Sequence, residues 1–129
     1  VFYQNLRGFH WNIKGKEFFE LHLKFEEYYN DALLKVDEIA ERILTLSGVP
    51  FHSFEDYVKH SDIKSAKNKN SGEECVQLVI DNFATLIQKE RAILKQANDA
   101  DDEGTANLVS DYISQTEKTL WMLSSYMGK

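Results

Sequence analysis

Residues 17–46 of this 129-residue chain read EFFELHLKFEEYYNDALLKVDEIAERILTL. Apolar side chains recur in it at intervals of three and four residues, at Phe18, Leu21, Phe25, Tyr28, Tyr29, Ala32, Val36, Ile39, Ala40 and Ile43. This spacing is typical of an amphipathic α-helix, here of roughly eight turns. Gly48 and Pro50 follow, and we expect a glycine cap and a proline to end the helix there.

The same periodicity predicts three more long helices. One covers residues 1–13 and ends around Gly15. Another opens at Ser71 and Glu74, which have the spacing of a capping box, and continues with apolar residues at Val76, Val79, Ile80, Phe83, Ile87 and Leu94. An acidic turn at residues 98–104 precedes the last helix, which carries Ala106, Val109, Tyr112, Ile113, Thr116, Leu120, Leu123 and Met127. Strand-like alternation is absent from the sequence.

A long connection, residues 49–72, separates the second helix from the third. Phe51, Phe54, Tyr57 and Val58 predict one short helix within it. Four amphipathic helices with one crossover predict an all-α fold, a ferritin-like four-helix bundle with a short extra helix in the crossover. Cytokine-like and purely structural bundles have the same pattern. We expect one domain over residues 1–129, lacking its N-terminal start because Val1 already reads as helix interior.

Composition excludes several classes of protein. The chain is 43% hydrophobic and 28% charged, which is the balance of a soluble globular protein. No apolar run approaches the roughly 20 residues of a membrane span, and without a charged start followed by an apolar block we expect no secretory signal. The single cysteine, Cys75, forms no intrachain disulfide, which fits the cytoplasm, and we interpret it as a bystander. The net charge of −6 disfavours nucleic-acid binding and favours cations.

Two pairs of potential metal ligands lie on the second helix. His22 and Glu26 are four residues apart and share one face, as do Asp37 and Glu41. Imidazole and carboxylate together suit iron or another borderline divalent ion. The plain alternative is a set of charged residues on an exposed helix.

The separation of the two pairs determines how they could act together. His22 and Asp37 lie about 22 Å apart along a continuous helix, so one ion cannot contact both within one chain. They nevertheless differ by only about 60° around the helix axis. A two-fold axis near Asn30 would bring one chain's His22 and Glu26 opposite a second chain's Asp37 and Glu41. His10, at the end of the first helix, could complete each site.

Several motifs resemble those of the Dps family, the mini-ferritins of bacteria. They are FHWN at 9–12, KG at 14–15, FFELH at 18–22 and VDEIAERIL at 36–44 with Gly48. The resemblance covers essentially the whole chain and implies a ferroxidase centre formed by His10, His22, Glu26, Asp37 and Glu41. Many members carry aspartate where this chain has Glu26. Larger ferritins instead build their site from a Glu-x-x-His motif within one bundle, and this sequence has none.

The resemblance also implies an activity. The chain would be an iron-storage and detoxification ferroxidase that oxidises Fe(II) with hydrogen peroxide, or more slowly dioxygen, at dinuclear sites between subunits. Ferric mineral would collect inside a dodecameric bacterial shell in the cytoplasm, protecting against oxidative stress. Whether iron, zinc or manganese occupies the site is left open. Trp11 would lie beside the metal, with a packing role, a redox role or both.

Other charged segments have weaker interpretations. The resemblance suggests Asp101, Asp102 and Asp111 as residues of acidic pores, although a solvated turn and helix start explains them equally. A basic patch in the crossover, at Lys59, Lys64, Lys67 and Lys69, is more simply a soluble loop than a DNA contact. Two alternatives to a ferroxidase remain. One is a nucleoid protein that compacts DNA, a role that in the family usually depends on a lysine-rich tail, which residues 1–129 do not contain. The other is an iron-free bundle that acts only as an interaction protein.

Overall fold

A computed structural model describes all residues from 1 to 129 as five α-helices without a strand. The helices are α1 (Phe2–Asn12), α2 (Phe18–Thr45), α3 (Phe54–His60), α4 (Gly72–Asp99) and α5 (Glu103–Tyr126). Their bounds agree with the predicted helices to within a few residues. The chain divides into two compact units, Val1–Cys75 and Val76–Lys129. None of the helices combines the length and apolar character required to cross a bilayer.

In the first unit, α1 and α2 contact each other along their apolar faces. Leu6 and Phe25 are fully buried there, and the rings of Phe9 and Phe25 lie 5.8 Å apart. A short connection at residues 13–17 reverses the chain between the two helices. Gly15 has a φ of 116° within it, a conformation that side-chain-bearing residues rarely adopt. The end of α1 therefore lies beside the beginning of α2.

The crossover is attached to α1 by one buried amide. Asn5 is only 5% exposed, and its Nδ2 donates to the carbonyl oxygen of Lys64 at 2.9 Å. Its Oδ1 accepts from the amide of Ala66, also at 2.9 Å. Because buried polar groups need partners, Asn5 and the crossover backbone satisfy each other. These two hydrogen bonds fix residues 64–66, which lie outside any helix, against α1.

The end of α2 differs from the predicted glycine cap. Ser47 has the left-handed conformation, with a φ of 67°, whereas Gly48 does not. The amides of Ser47 and Gly48 donate to the carbonyls of Leu44 and Ile43, respectively, which is the Schellman pattern. A Cβ on residue 48 would lie 2.9 Å from Ile43 Cγ2 and 3.2 Å from the Ile43 carbonyl oxygen. Gly48 is thus required for close approach, not for its φ.

Only half of the predicted capping box forms at the start of α4. Ser71 Oγ accepts from the Glu74 amide at 3.3 Å, as expected for the cap. The Glu74 carboxylate instead accepts from Lys69 Nζ at 2.6 Å. In a complete capping box the Glu74 side chain would accept from the Ser71 amide. Here it pairs with Lys69.

In the second unit, the remainder of α4 and α5 form an antiparallel helical hairpin. Arg91 and Glu117 make a 3.4 Å ion pair between the helices, and Lys129 Nζ donates to Gln77 Oε1 at 3.5 Å nearer the chain end. The buried apolar side chains of this unit are Val76, Val79, Phe83, Ile87, Ala97, Ala106, Val109, Tyr112 and Leu123. These residues include most of the apolar positions predicted for the last two helices.

Candidate metal centre

His10 and His22 are brought together by the short turn between α1 and α2. Their rings stack with centroids 3.8 Å apart and an angle of 12° between planes. His10 Nδ1 lies 2.6 Å from the carbonyl oxygen of His22, and His22 Nδ1 lies 2.7 Å from the carbonyl oxygen of His10. Each imidazole is therefore bound to the backbone of the other residue.

These two hydrogen bonds assign the proton on each ring. A carbonyl oxygen can only accept, so each Nδ1 must donate and carry the hydrogen. In the neutral imidazole the lone pair is then on Nε2, which is the form that binds a metal ion. Metal-ligating histidines commonly hold their second ring nitrogen in this way against a carbonyl or carboxylate. In both histidines Nε2 is therefore the nitrogen whose lone pair is available to a metal ion.

Two aromatic residues that the sequence reasoning did not single out surround the pair. Phe18 stacks on His22 at 4.9 Å with an angle of 19°, and Tyr29 meets the His10 ring edge-on at 5.4 Å. The contact between Phe18 and His22 could have been predicted from their spacing, since residues four apart are neighbours on a helix. Tyr29 is seven residues beyond His22, on the same side of α2.

The predicted acidic residues occupy different positions along α2. Glu26 is half-buried one turn after His22, whereas Asp37 and Glu41 are exposed about 22 Å farther along the helix. No three histidine, cysteine, aspartate or glutamate side chains in the chain lie together in an arrangement that could hold a metal ion. The structure of one chain therefore brings together His10 and His22 but not the complete predicted set.

The face of α2 that carries these residues is also rich in exposed apolar side chains. Helical geometry places four of them within about 60° of the Glu26 direction and a fifth, Leu34, about 80° from it and about 60° from Asp37. They are Phe19, Leu23, Leu33, Leu34 and Leu44, with exposures of 79%, 62%, 50%, 65% and 58%. Exposed apolar side chains interspersed with acids on one face of a helix are typical of a contact site.

Trp11 is 55% exposed and lies close to the histidine pair in sequence. The guanidinium of Arg7 lies over its indole ring, 4.7 Å from the centroid, and 5.6 Å from the ring of Tyr3. These contacts give Trp11 a packing role on the surface of α1. Its predicted redox role remains a prediction.

The acidic turn before α5 has defined structural roles. Asp101 has a left-handed φ of 55°, and Asp102 is the N-cap of α5, with Oδ1 accepting from the Thr105 amide at 3.1 Å. Thr105 Oγ1 donates to Asp102 Oδ2 at 2.6 Å. Asp111 is exposed two turns into the helix. A pore function for these residues remains a prediction.

Comparison with known proteins identifies the family. Residues 1–129 match the family described as the ferritin-like domain. The chain is 44% identical over 129 residues to the DNA protection during starvation protein of Porphyromonas gingivalis, covering 100% of this chain and 81% of that protein. The chain belongs to the Dps family. This confirms the resemblance found in the sequence motifs.

Solved structures of Dps proteins have the same fold. The Dps protein of Vibrio cholerae aligns with a TM-score of 0.96 and 52% identity, over 98% of this chain and 79% of that chain. It is described as a member of a broad superfamily of ferritin-like diiron-carboxylate proteins. The Dps protein of Bacillus brevis aligns with a TM-score of 0.95 and 36% identity, over 98% and 85% of the two chains. The predicted all-α, ferritin-like fold is confirmed.

Proposed function

We propose that this Dps chain is a subunit of an iron-storing and detoxifying ferroxidase, assembled as a homododecameric shell. Fe(II) is the substrate, and it is oxidised at dinuclear sites shared by two subunits. The observation that carries the proposal is the reciprocal histidine pair, which presents two Nε2 lone pairs. No group of three histidine, cysteine, aspartate or glutamate side chains in one chain could hold a metal ion, so a site built on this pair and Glu26 needs further carboxylates from elsewhere.

A second copy can supply those carboxylates. Antiparallel apposition of two α2 helices about an axis near Asn30 places Asp37 and Glu41 of one chain opposite His22 and Glu26 of its mate. His10 joins each site through its contact with His22. The exposed apolar residues on the same face of α2 support this arrangement, because association would remove them from water.

The mixed ligand set suits the oxidation of iron. Hard carboxylates such as Glu26, Asp37 and Glu41 stabilise Fe(III) more than Fe(II), whereas imidazole suits both ions. A pair of Fe(II) ions supplies the two electrons that, with two protons from water, reduce one hydrogen peroxide to two water molecules, and both ions become Fe(III). Dioxygen is the slower oxidant in this proposal. The ferric product then leaves for the shell interior, where it is stored as mineral.

Entry of iron and protection of DNA can be related to other residues. Asp101, Asp102 and Asp111 are candidates for acidic pores, since clustered carboxylates raise the local concentration of cations. The relative from Porphyromonas gingivalis is named for DNA protection during starvation. Removal of iron and peroxide protects DNA without contact, which is consistent with the net charge of −6.

Subunit complementation tests whether each site is shared. Chains with His22→Ala and chains with Asp37→Ala and Glu41→Ala are produced separately and by co-expression. Either variant alone is expected to lack the fast phase of Fe(II) oxidation with hydrogen peroxide. In a mixed two-fold dimer, one site receives both defects and the other receives none. Random mixing should therefore restore about a quarter of the parental sites.

The result is measured as the amplitude of the fast absorbance change per assembled shell. Sites completed within one chain would give no recovery on mixing, and this outcome would overturn the shared-site proposal. Variants that separately oxidise iron like the parent would show that these residues do not form the ferroxidase site.

A further inference from the structure

We infer that Phe18 is a positioning residue for His22, an inference that rests on the proposed ferroxidase function. Its ring covers one face of the imidazole, at 4.9 Å and 19°, while His10 covers the other at 3.8 Å and 12°. Phe18 precedes His22 by four residues on α2, so the same helix that carries the ligand also carries its support.

The two rings must occupy opposite faces of His22. Both are nearly parallel to the imidazole with centroids less than 5 Å from it. Two such rings on one face would overlap, because aromatic carbon atoms approach no closer than about 3.5 Å. His22 therefore lies between Phe18 and His10.

Stacking fixes a degree of freedom that the hydrogen bond leaves open. The contact from His22 Nδ1 to the His10 carbonyl oxygen determines which nitrogen faces outward. It does not set the plane of the ring, because the second side-chain torsion of histidine has broad minima and the imidazole can swing about its hydrogen bond. Rings on both faces restrict that swing and hold Nε2 in one direction.

His22 depends on such support more than His10 does. His10 is only 8% exposed and is also bounded by the edge of Tyr29 at 5.4 Å. His22 is half-buried. Without Phe18, the outer face of His22 would meet solvent, and the ring would have to be ordered when the metal binds.

Matched substitutions test this role in the assembled protein. Phe18→Leu and Phe18→Met keep apolar volume but remove the flat ring, whereas Phe18→Tyr retains it. Phe51→Leu is the control, since Phe51 stacks on His60 at 4.5 Å and 10°, outside the proposed site. Co²⁺ serves as the binding probe in calorimetry, and Fe(II) oxidation with hydrogen peroxide gives KM and kcat.

Phe18→Leu and Phe18→Met are expected to raise the Co²⁺ Kd and the KM for Fe(II) roughly tenfold, the scale of losses in metal-ligand support. Within the same variants kcat should change less than about twofold, because the ligands themselves remain. Phe18→Tyr and Phe51→Leu should behave like the parent protein. Sedimentation and the melting temperature of each variant establish that the shell remains assembled.

Co²⁺ affinity equal to that of the parent in both Phe18→Leu and Phe18→Met would overturn the inference. The inference would also be overturned if Phe51→Leu lost as much Co²⁺ affinity as the Phe18 variants, or if Phe18→Tyr failed to retain the parental affinity. A His22→Ala variant distinguishes failure of the Phe18 inference from failure of the proposed ferroxidase function. If His22→Ala binds Co²⁺ and oxidises iron normally, the site itself is wrong. If it is impaired while the Phe18 variants are not, only the positioning role is wrong.

Discussion

The amide of Gly48 donates to the carbonyl oxygen of Ile43 at 2.8 Å, five residues earlier, and closes the end of α2. The left-handed residue of this motif is Ser47, a position usually occupied by glycine. Two neighbouring residues therefore meet separate requirements: Ser47 adopts the unusual φ, and Gly48 leaves room for the Ile43 carbonyl.

Ser47→Gly should stabilise the protein by roughly 1 kcal/mol, because it removes the cost of a side chain in the left-handed conformation. Gly48→Ala should destabilise it by at least about 1 kcal/mol, because the new Cβ meets Ile43. Urea unfolding at one fixed subunit concentration measures both effects. A destabilised Ser47→Gly would contradict the assignment of the left-handed role to residue 47.

Leu33→Glu should weaken the proposed two-fold contact between α2 helices. Leu33 is 50% exposed and lies close to the proposed axis near Asn30, so the new charge would be buried twice in each dimer. Sedimentation velocity should show smaller species than the parent. Val58→Glu is a control on α3, since Val58 is 67% exposed and does not lie on α2. An intact assembly with Leu33→Glu would contradict the proposed dimer contact.

Cys75 should react slowly in the native protein. Burial, followed by the charge of nearby Glu74, raises the pKa of its thiol from 9.0 to about 11, although Lys69 acts in the opposite direction. At neutral pH the thiol is therefore protonated as well as enclosed. Labelling with a disulfide reagent should be slow before and fast after addition of urea. Rapid labelling of the assembled native protein would contradict this environment.

The same shift predicts how stability depends on pH. A thiol whose folded pKa is raised keeps its proton longer in the native state, so its contribution to stability is complete below about pH 9 and is lost as the pH rises toward 11. The free energy of unfolding should fall by at most about 1.4 kcal/mol per pH unit from this group. Cys75→Ala should show a shallower fall, although Tyr28, whose pKa burial raises to about 12, still contributes.

Periodic apolar spacing was sufficient to predict every helix. The face of α2 that contains Leu21, Phe25, Tyr28 and Ala32 is buried as expected, because removal of these side chains from water determines how the helix is oriented. The ends were less predictable. At residues 47 and 48 a one-residue difference in the cap depended on steric contact with Ile43, and at Glu74 a competing lysine changed the side chain's partner.

The candidate site was predictable in composition but not in detail. Spacing and motif resemblance indicated His10 and His22, yet the reciprocal carbonyl contacts depend on two helices meeting at a turn. Such a contact has no signature in local sequence. Phe18 was named as an apolar position of α2 and as part of the FFELH motif, without a role at the site, since the direction of its ring depends on the histidine it covers. The intersubunit site remains a prediction that one chain does not test.

The histidine pair also has a consequence for the motion of α1 along α2. Each Nδ1 proton is held by the peptide group of the other residue, so both bonds depend on the same alignment of the two helices. A slip of one helix by a single turn would displace the acceptors by about 5.4 Å and break both bonds together. The two hydrogen bonds therefore form or break together as the register of α1 and α2 changes. A change in the conformation of the turn at Gly15 would alter the environment of both ring nitrogens.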